Sequence, residues 1–250
     1  MHRSLLAWLL PAAILAVWIV AGAAHWFAPD QLAPPSRVLA ELGSLWQRGL
    51  LQQDILASAG RVLGGFAIAL ALAVAIGTLV GLNRTIERAI DPTLQAVRAV
   101  PSLAWVPLLL LWLGIGEAAK ITLIAIGAFF PIYVNLVAGI HGVDRKLVEV
   151  ARILGLHPVA VAMRVVLPAA FPSLLVGARI GLTQAWLFLV AAELLASTRG
   201  LGFLLTEGQQ ISRPDEILVA ILLLAIAGKL CESGMLTIER RTTAWQDGLR

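Results

Sequence analysis

The chain has 250 residues, of which 59% are hydrophobic and only 14% charged, where soluble domains carry about 25% charged residues. That balance excludes a soluble globular domain and defines an all-helical integral membrane protein. The net charge of +4 comes from basic residues spread over the gaps between apolar runs, not from a basic face interleaved with aromatics, so it does not describe a nucleic-acid surface. The single cysteine, Cys231, leaves no intramolecular disulfide to form.

Apolar runs of about 20 residues are long enough to cross a hydrocarbon core about 30 Å thick. The first covers residues 5–27. It follows His2 and Arg3 and ends near Ala21-Gly22-Ala23-Ala24, as a signal peptide would, but its apolar core is too long for an h-region, so it is read as a retained span. Residues 28–54, with Pro34-Pro35 and an amphipathic pattern, are expected on the outer surface. A second span covers 62–82. A third, 99–116, is shorter and carries Pro101 and Pro107, which a membrane helix tolerates where neighbours re-satisfy the freed carbonyls. The fourth, 121–140, is free of charge. Two more, 173–196 and 216–237, contain ionisable residues but keep the apolar density of spans, which makes six in all. Residues 200–215 are the outer counterpart of the 28–54 segment.

Orientation follows from the basic residues. With six spans and the N-terminus inside, eleven fall on inner segments (Arg3, Arg84, Arg88, Arg98, Arg145, Lys146, Arg152, Arg164, Arg240, Arg241, Arg250) and five on outer ones (Arg37, Arg48, Lys120, Arg199, Arg213). Both termini and the 141–172 loop between the fourth and fifth spans are then cytoplasmic. The chain divides into an N-terminal span with an outer segment (1–57), a transmembrane domain (58–240) and a tail (241–250).

Within the loop, residues 149–168 (EVARILGLHPVAVAMRVVLP) form a polar island. Residues 147–154 read as a short helix. Gly155 permits a turn, His157-Pro158 starts a second helix running to Val166, and Leu167-Pro168 ends it. Glu149 and Arg152, three apart, share one face, and the small Ala151 lets another surface approach closely. Such a helix-turn-helix between spans is a docking site for a soluble protein.

Glu149-Val150-Ala151, Gly155, Val165 and Leu167-Pro168 resemble, in spacing, the EAA loop of bacterial ABC importer permeases, with Val150 where the name-giving motif has Ala. The resemblance extends to RAVPSLAWVPL (98–108), LWLGIGE (111–117), Phe130-Pro131, Val143-Asp144, Ala192-Glu193-Leu194, Gly200 to Phe203 and Trp245. These are similar to permeases for nitrate, sulfonate, taurine and bicarbonate, and residues 100–107, 228–230 and 245–247 are most like those for aliphatic sulfonates. It implies a type I importer subunit of the bacterial inner membrane. Two permease copies enclose the path, cytoplasmic ATPase subunits grip Glu149, Ala151, Arg152, Gly155, His157, Leu167 and Pro168, and a periplasmic binding protein delivers a small organic anion. ATP and Mg²⁺ belong to the partner ATPase, and this chain binds no cofactor.

The residues agree with a transport subunit that is not an enzyme. Gly228-Lys229 is followed by Leu230 without the glycine-rich turn of a phosphate loop. The four His and one Cys lack metal-ligand spacing, and no Ser stands in a G-x-S-x-G elbow.

Ionisable residues within spans usually face the bundle interior or a cavity, so Arg179, Gln184, Trp186, Glu193 and Asn135 are the candidates for a translocation path. The alternatives are snorkelling for Arg179, an interhelical hydrogen bond or a contact with the binding protein for Glu193, and helix-to-helix hydrogen bonding for Gln184 and Asn135. Arg179 and Glu193 stand about 21 Å apart along one helix and cannot neutralise each other. Lys229 and Glu232, three apart, are expected to pair locally. Gly64, Gly65, Gly77 and Gly81 are expected at close helix contacts. Two other classes stay open at this level. An ion-coupled secondary transporter requires paired, inverted halves, which are not evident, and a membrane scaffold using the loop only for recruitment would carry no solute.

Overall fold

The computed structural model describes residues 2–24, 26–28 and 31–243, and of residues 2–8 and Ala196 the backbone only. The expected similarity at 245–247, most of the tail and Arg250 lie outside the described residues. Every regular element among the described residues is helical: α1 (His2–Ala23), α2 (Pro35–Gln47), α3 (Leu50–Leu82), α4 (Arg84–Ala99), a 3₁₀ turn (Ser102–Trp105), α5 (Val106–Leu113), α6 (Glu117–His141), α7 (Arg145–Ile153), α8 (Pro158–Val161), a π segment (Ala162–Val166), α9 (Leu167–Ala196), α10 (Leu201–Gln210) and α11 (Pro214–Thr242). Four helical runs are long and apolar enough to cross a membrane: α3, α6, the run Pro158–Leu195 and α11. The residues form two compact units, Met1–Ser58 with Ser197–Ile226 and Ala59–Ala196 with Ala227–Arg250.

The second unit is organised on α6. In lipid, helices gain nothing hydrophobic by associating, so they associate where small residues let backbones approach. Against α3, the close contacts are Gly65 on Ile124, Gly77 on Leu136 and Gly81 on Ile140; both numbers rise together, so α3 and α6 run parallel. Gly64 makes no such contact and is not part of that seam. Against α9, Gly139 meets Ser173, Gly177 meets Asn135, Gly181 meets Ile132 and Gly127 lies under Phe188, an antiparallel pairing. A β-carbon at Gly181 would stand 2.9 Å from the Ala128 carbonyl oxygen and one at Gly177 3.0 Å from that of Pro131, distances only glycine allows.

The expected span at 99–116 is not one straight helix. Proline at 101 forces Val100 into extended backbone (φ −71°, ψ 125°), because the pyrrolidine ring clashes with a helical residue before it, and α4 stops there. The chain bends by 89° between α4 and Ser102–Leu113. Pro107 falls in the first turn of α5, where its missing N–H costs nothing. The 3₁₀ turn and α5 together hold 4 and 8 residues, about 20 Å of helix, too short to cross alone. Contacts show what the pair does: Glu87 lies by His141, Asp91 bonds Tyr133, and Val106 and Leu109 pack on Ala119 and Leu123. The bent pair therefore follows α6 antiparallel along its length.

A second difference lies at Leu167-Pro168, expected to end a helix. The helix instead continues from Pro158 to Leu195, because Ala162–Val166 widens into a π turn in which the Leu167 N–H bonds the Ala162 carbonyl. The widened turn relieves the clash that Pro168 would make in a regular ladder. Lys120 likewise stands not in a loop but in the first turn of α6, buried.

In the first unit, the segments around 33–51 and 204–220, far apart in the sequence, share one core. Val38, Leu45 and Leu51 pack with Leu204, Val219 and Ala220. The Asp54 carboxylate accepts from the Gly200 N–H at 2.8 Å and the Ser58 hydroxyl from the Leu201 N–H at 2.8 Å, capping α10, whose own N-cap glycine has no side chain to do so. The Arg213 guanidinium bridges Glu41 and Asp215, and the Asp215 hydrogen bond is the chief cause holding its pKa above the ordinary value. The amphipathic faces are thus consumed by each other.

Gly181→Leu is expected to lower the thermal aggregation midpoint of the detergent-solubilised protein, by overpacking worth about 1–3 kcal/mol, whereas Gly64→Leu, with nothing within 4 Å, should leave it unchanged.

Candidate functional site

At the end of the bundle where α6 stops, Asp144 caps α7 by accepting from the Lys146 N–H at 2.9 Å. Gly155, at φ +75°, ends it, with its own N–H bonding Arg152 and that of Leu156 bonding Ala151. That left-handed backbone is why a glycine stands there. The helix is strongly two-faced. Its inner face carries Ala151, buried with Val161, Val166, Leu136 and Ile140, so this small residue serves the chain's own packing and is not available to another surface. Leu167 packs against the same cluster.

The outer face is the opposite of what a solvated helix shows. Leu147, Val150, Ile153 and Leu154 are exposed, Ile153 to 84%, and Val159 and Met163 extend the patch onto the next segment. Glu149, Arg152, Gly155, His157 and Pro168 are exposed beside it. His157 also caps α8, its Nδ1 accepting from the Val159 N–H at 3.4 Å. A contiguous apolar surface with a charged rim marks an interaction site.

The expected path residues do not form one group. Asn135 and Gln184 line a cavity of about 350 Å³ together with Arg98, Ser102, Phe130, Val134, Ile180 and Phe188. Arg179 does not reach it; its Nε stands 3.1 Å from Glu239 of α11, an ion pair without hydrogen-bond alignment. Trp186 is outside the cavity, and its indole N–H has no hydrogen-bond partner among the described residues. Arg98 and Ser102 join the lining of this cavity, which the inner-loop assignment of Arg98 did not anticipate because the bend after α4 is not legible in the run of residues. The expected pair of Lys229 and Glu232 is present at 2.9 Å.

Glu193 belongs to an ion network, buried at Arg61, Lys120 and Glu193 and exposed at Glu117, that the sequence did not reveal. Arg61 of α3 reaches Glu193 of α9 at 2.6 Å and Glu117 of α6 at 2.7 Å, and Lys120 reaches Glu117 at 3.0 Å. The side chain of Glu193 is 0% exposed and that of Arg61 8%. In a low-dielectric setting such charges are tolerable only when paired and hydrogen-bonded, and one arginine here ties three helices. No group of His, Cys, Asp and Glu able to hold a metal ion occurs among the described residues.

Residues 67–238 match the family described as binding-protein-dependent transport system inner membrane component. The chain is 40% identical over 239 residues to the putative aliphatic sulfonates transport permease protein SsuC of Bacillus subtilis (strain 168), covering 96% of this chain and 87% of that protein. It is 36% identical to the taurine transport system permease protein TauC of Escherichia coli (strain K12), covering 94% and 87%. Among solved structures, an inward-facing MetNI methionine ABC transporter aligns with a TM-score of 0.67 at 21% identity, covering 77% of this chain and 96% of that one, a likeness of fold. The chain belongs to the family of inner membrane components of binding-protein-dependent transport systems, the permease subunits of ABC importers.

Breaking a buried ion pair by removing one partner costs about 3–5 kcal/mol. Arg61→Leu, which strips the guanidinium from both Glu193 and Glu117, is therefore expected to lower the melting midpoint of the solubilised protein far more than Lys229→Leu, whose pair is exposed; equal shifts would contradict the structural role of the network.

Proposed function

We propose that this permease conducts a small organic anion, an aliphatic sulfonate in the first instance, driven by ATP hydrolysis in separate cytoplasmic subunits. The substrate follows from the permeases it is similar to, named for aliphatic sulfonates and taurine. The observation that carries the coupling is the exposed apolar stripe Leu147, Val150, Ile153 and Leu154 on a helix capped at both ends. Four large apolar side chains in water on one helix face are stable only if a partner covers them, and the family supplies that partner as an ATPase.

In this reading α1, α3, the α4–α5 pair, α6, the run into α9 and α11 make six traverses, with both termini and the α7–α8 segment in the cytoplasm. Two copies of the chain enclose the path, and a periplasmic protein delivers the anion from the other side. ATP with Mg²⁺ is held by the partner subunits. When these close on ATP, they draw the two α7 helices together. The bundles rock as rigid bodies between two states, and release after hydrolysis resets the inward-facing one. This chain contributes no bond-breaking step. It supplies a lever, whose stiffness comes from burying Ala151 and Val161 against α6, and a path.

Ile153→Asp and Leu154→Asp are expected to abolish ATP-driven uptake in proteoliposomes and to release the ATPase during purification, because a charge replaces the apolar contact. Gly155→Pro should uncouple the same way, since proline cannot adopt φ +75°. Normal coupled uptake of butanesulfonate by all three would remove the coupling assignment.

A further inference from the structure

We infer that the cavity on α6 is a binding site for the transported solute within the permease itself, selective for a small organic anion with an apolar tail. Arg98 receives the anionic head. The inference rests on the reading of the chain as a solute path and goes beyond it, because a merely permissive channel needs no such site.

The cavity arises from the break in the α4–α5 traverse. Where Pro101 turns the chain by 89°, Arg98 at the end of α4 and Ser102 of the 3₁₀ turn line one side of a cavity whose other walls are α6 and α9, and its volume, about 350 Å³, lies within the range of small-ligand pockets. Its lining divides by chemistry. Arg98, Ser102, Asn135 and Gln184 offer polar groups, and Phe130, Val134, Ile180 and Phe188 offer apolar ones.

The charges identify the ligand. Four basic residues of the membrane helices, Arg61, Lys120, Arg179 and Lys229, each stand against a carboxylate, and none of the four lines this cavity. Arg98 has no ion pair or hydrogen bond among the described residues, and neither the Ser102 hydroxyl nor the Gln184 amide is engaged by another side chain. Asn135 spends one amide hydrogen on the Pro131 carbonyl at 2.8 Å and keeps the rest. The arrangement thus presents a guanidinium fork, a hydroxyl and an amide as uncommitted donors with no carboxylate among them. A planar or tetrahedral oxyanion accepts from such a set bidentately, and a cation is repelled. The phenyl rings of Phe130 and Phe188 beside them suit a short hydrocarbon tail.

The test places the permease with its ATPase in nanodiscs, withholds the binding protein, and reads saturation transfer to the butyl protons of butanesulfonate, butylammonium and butanol, which share one tail. Wild type is expected to favour butanesulfonate. Arg98→Gln should weaken its binding about tenfold or more, the loss of a charge-assisted hydrogen bond. Arg98→Lys should retain part, and Gln184→Leu should weaken it independently of Arg98. Equal transfer to all three probes, or unchanged butanesulfonate binding in both Arg98→Gln and Gln184→Leu, overturns the site. Uptake separates this from the proposed function. Binding without ATP-driven uptake of butanesulfonate, taurine or nitrate by the complete wild-type system would overturn the importer substrate and leave the site, whereas wild-type uptake kinetics in Arg98→Gln would overturn the site and leave the importer.

Discussion

Hydrocarbon offers no hydrogen-bond partner and no counter-ion, and α6 is where this chain meets that constraint. The helix is flanked by α3 on one side and α9 on the other through glycines that leave no room for a β-carbon. Backbones brought that close place Arg61 within reach of Glu117 and Glu193 together. The ion network therefore depends on the glycine seams, since three long polar side chains could not converge in lipid if bulky residues held the helices apart. Such a network, once formed, fixes which turn of each helix faces which. Close packing and buried charge are two parts of one solution.

The same helix organises both functional regions. At one end it carries the hydrophobic cluster against which Ala151 seats α7, so that a face of Leu147, Val150, Ile153 and Leu154 is held outward on a rigid support. Further along, it forms the wall of the cavity through Phe130, Pro131, Val134 and Asn135. Ala151 packs α7 directly on α6, and α6 is continuous with the cavity wall, so under the proposed coupling a displacement of α7 would reach the cavity through packed contacts. Close-packed interiors transmit strain in this way because they deform between discrete arrangements rather than continuously.

Prolines and one π turn give the fold its departures from straight spans. Pro101 ends α4 and bends the chain beside the cavity; Pro168 is carried through by the widened turn at Ala162–Val166. The first places Arg98 on the cavity wall opposite α6, and the second makes the segment after Gly155 continuous with α9, so Val159 and Met163 belong to one helical run from Pro158 to Leu195.

Much was legible in the sequence because it depends on local composition and spacing. Length and apolarity decided that the chain lives in a bilayer, the run from 121 to 140 marked α6, and the spacing from Glu149 to Pro168 pointed to the family. Local spacing also sufficed for Lys229 and Glu232, which are neighbours on one helix. What it left undecided involves partners far apart in the chain: Arg61 with Glu193, Arg179 with Glu239, Glu41 with Arg213, and Arg98 with Gln184 across one cavity. Periodicity reports which face of a helix is apolar, but in lipid nearly every face is, so the pattern loses its power to say which helix meets which. That was decided only by glycine seams and buried charge, whose energies exist only once the helices are packed.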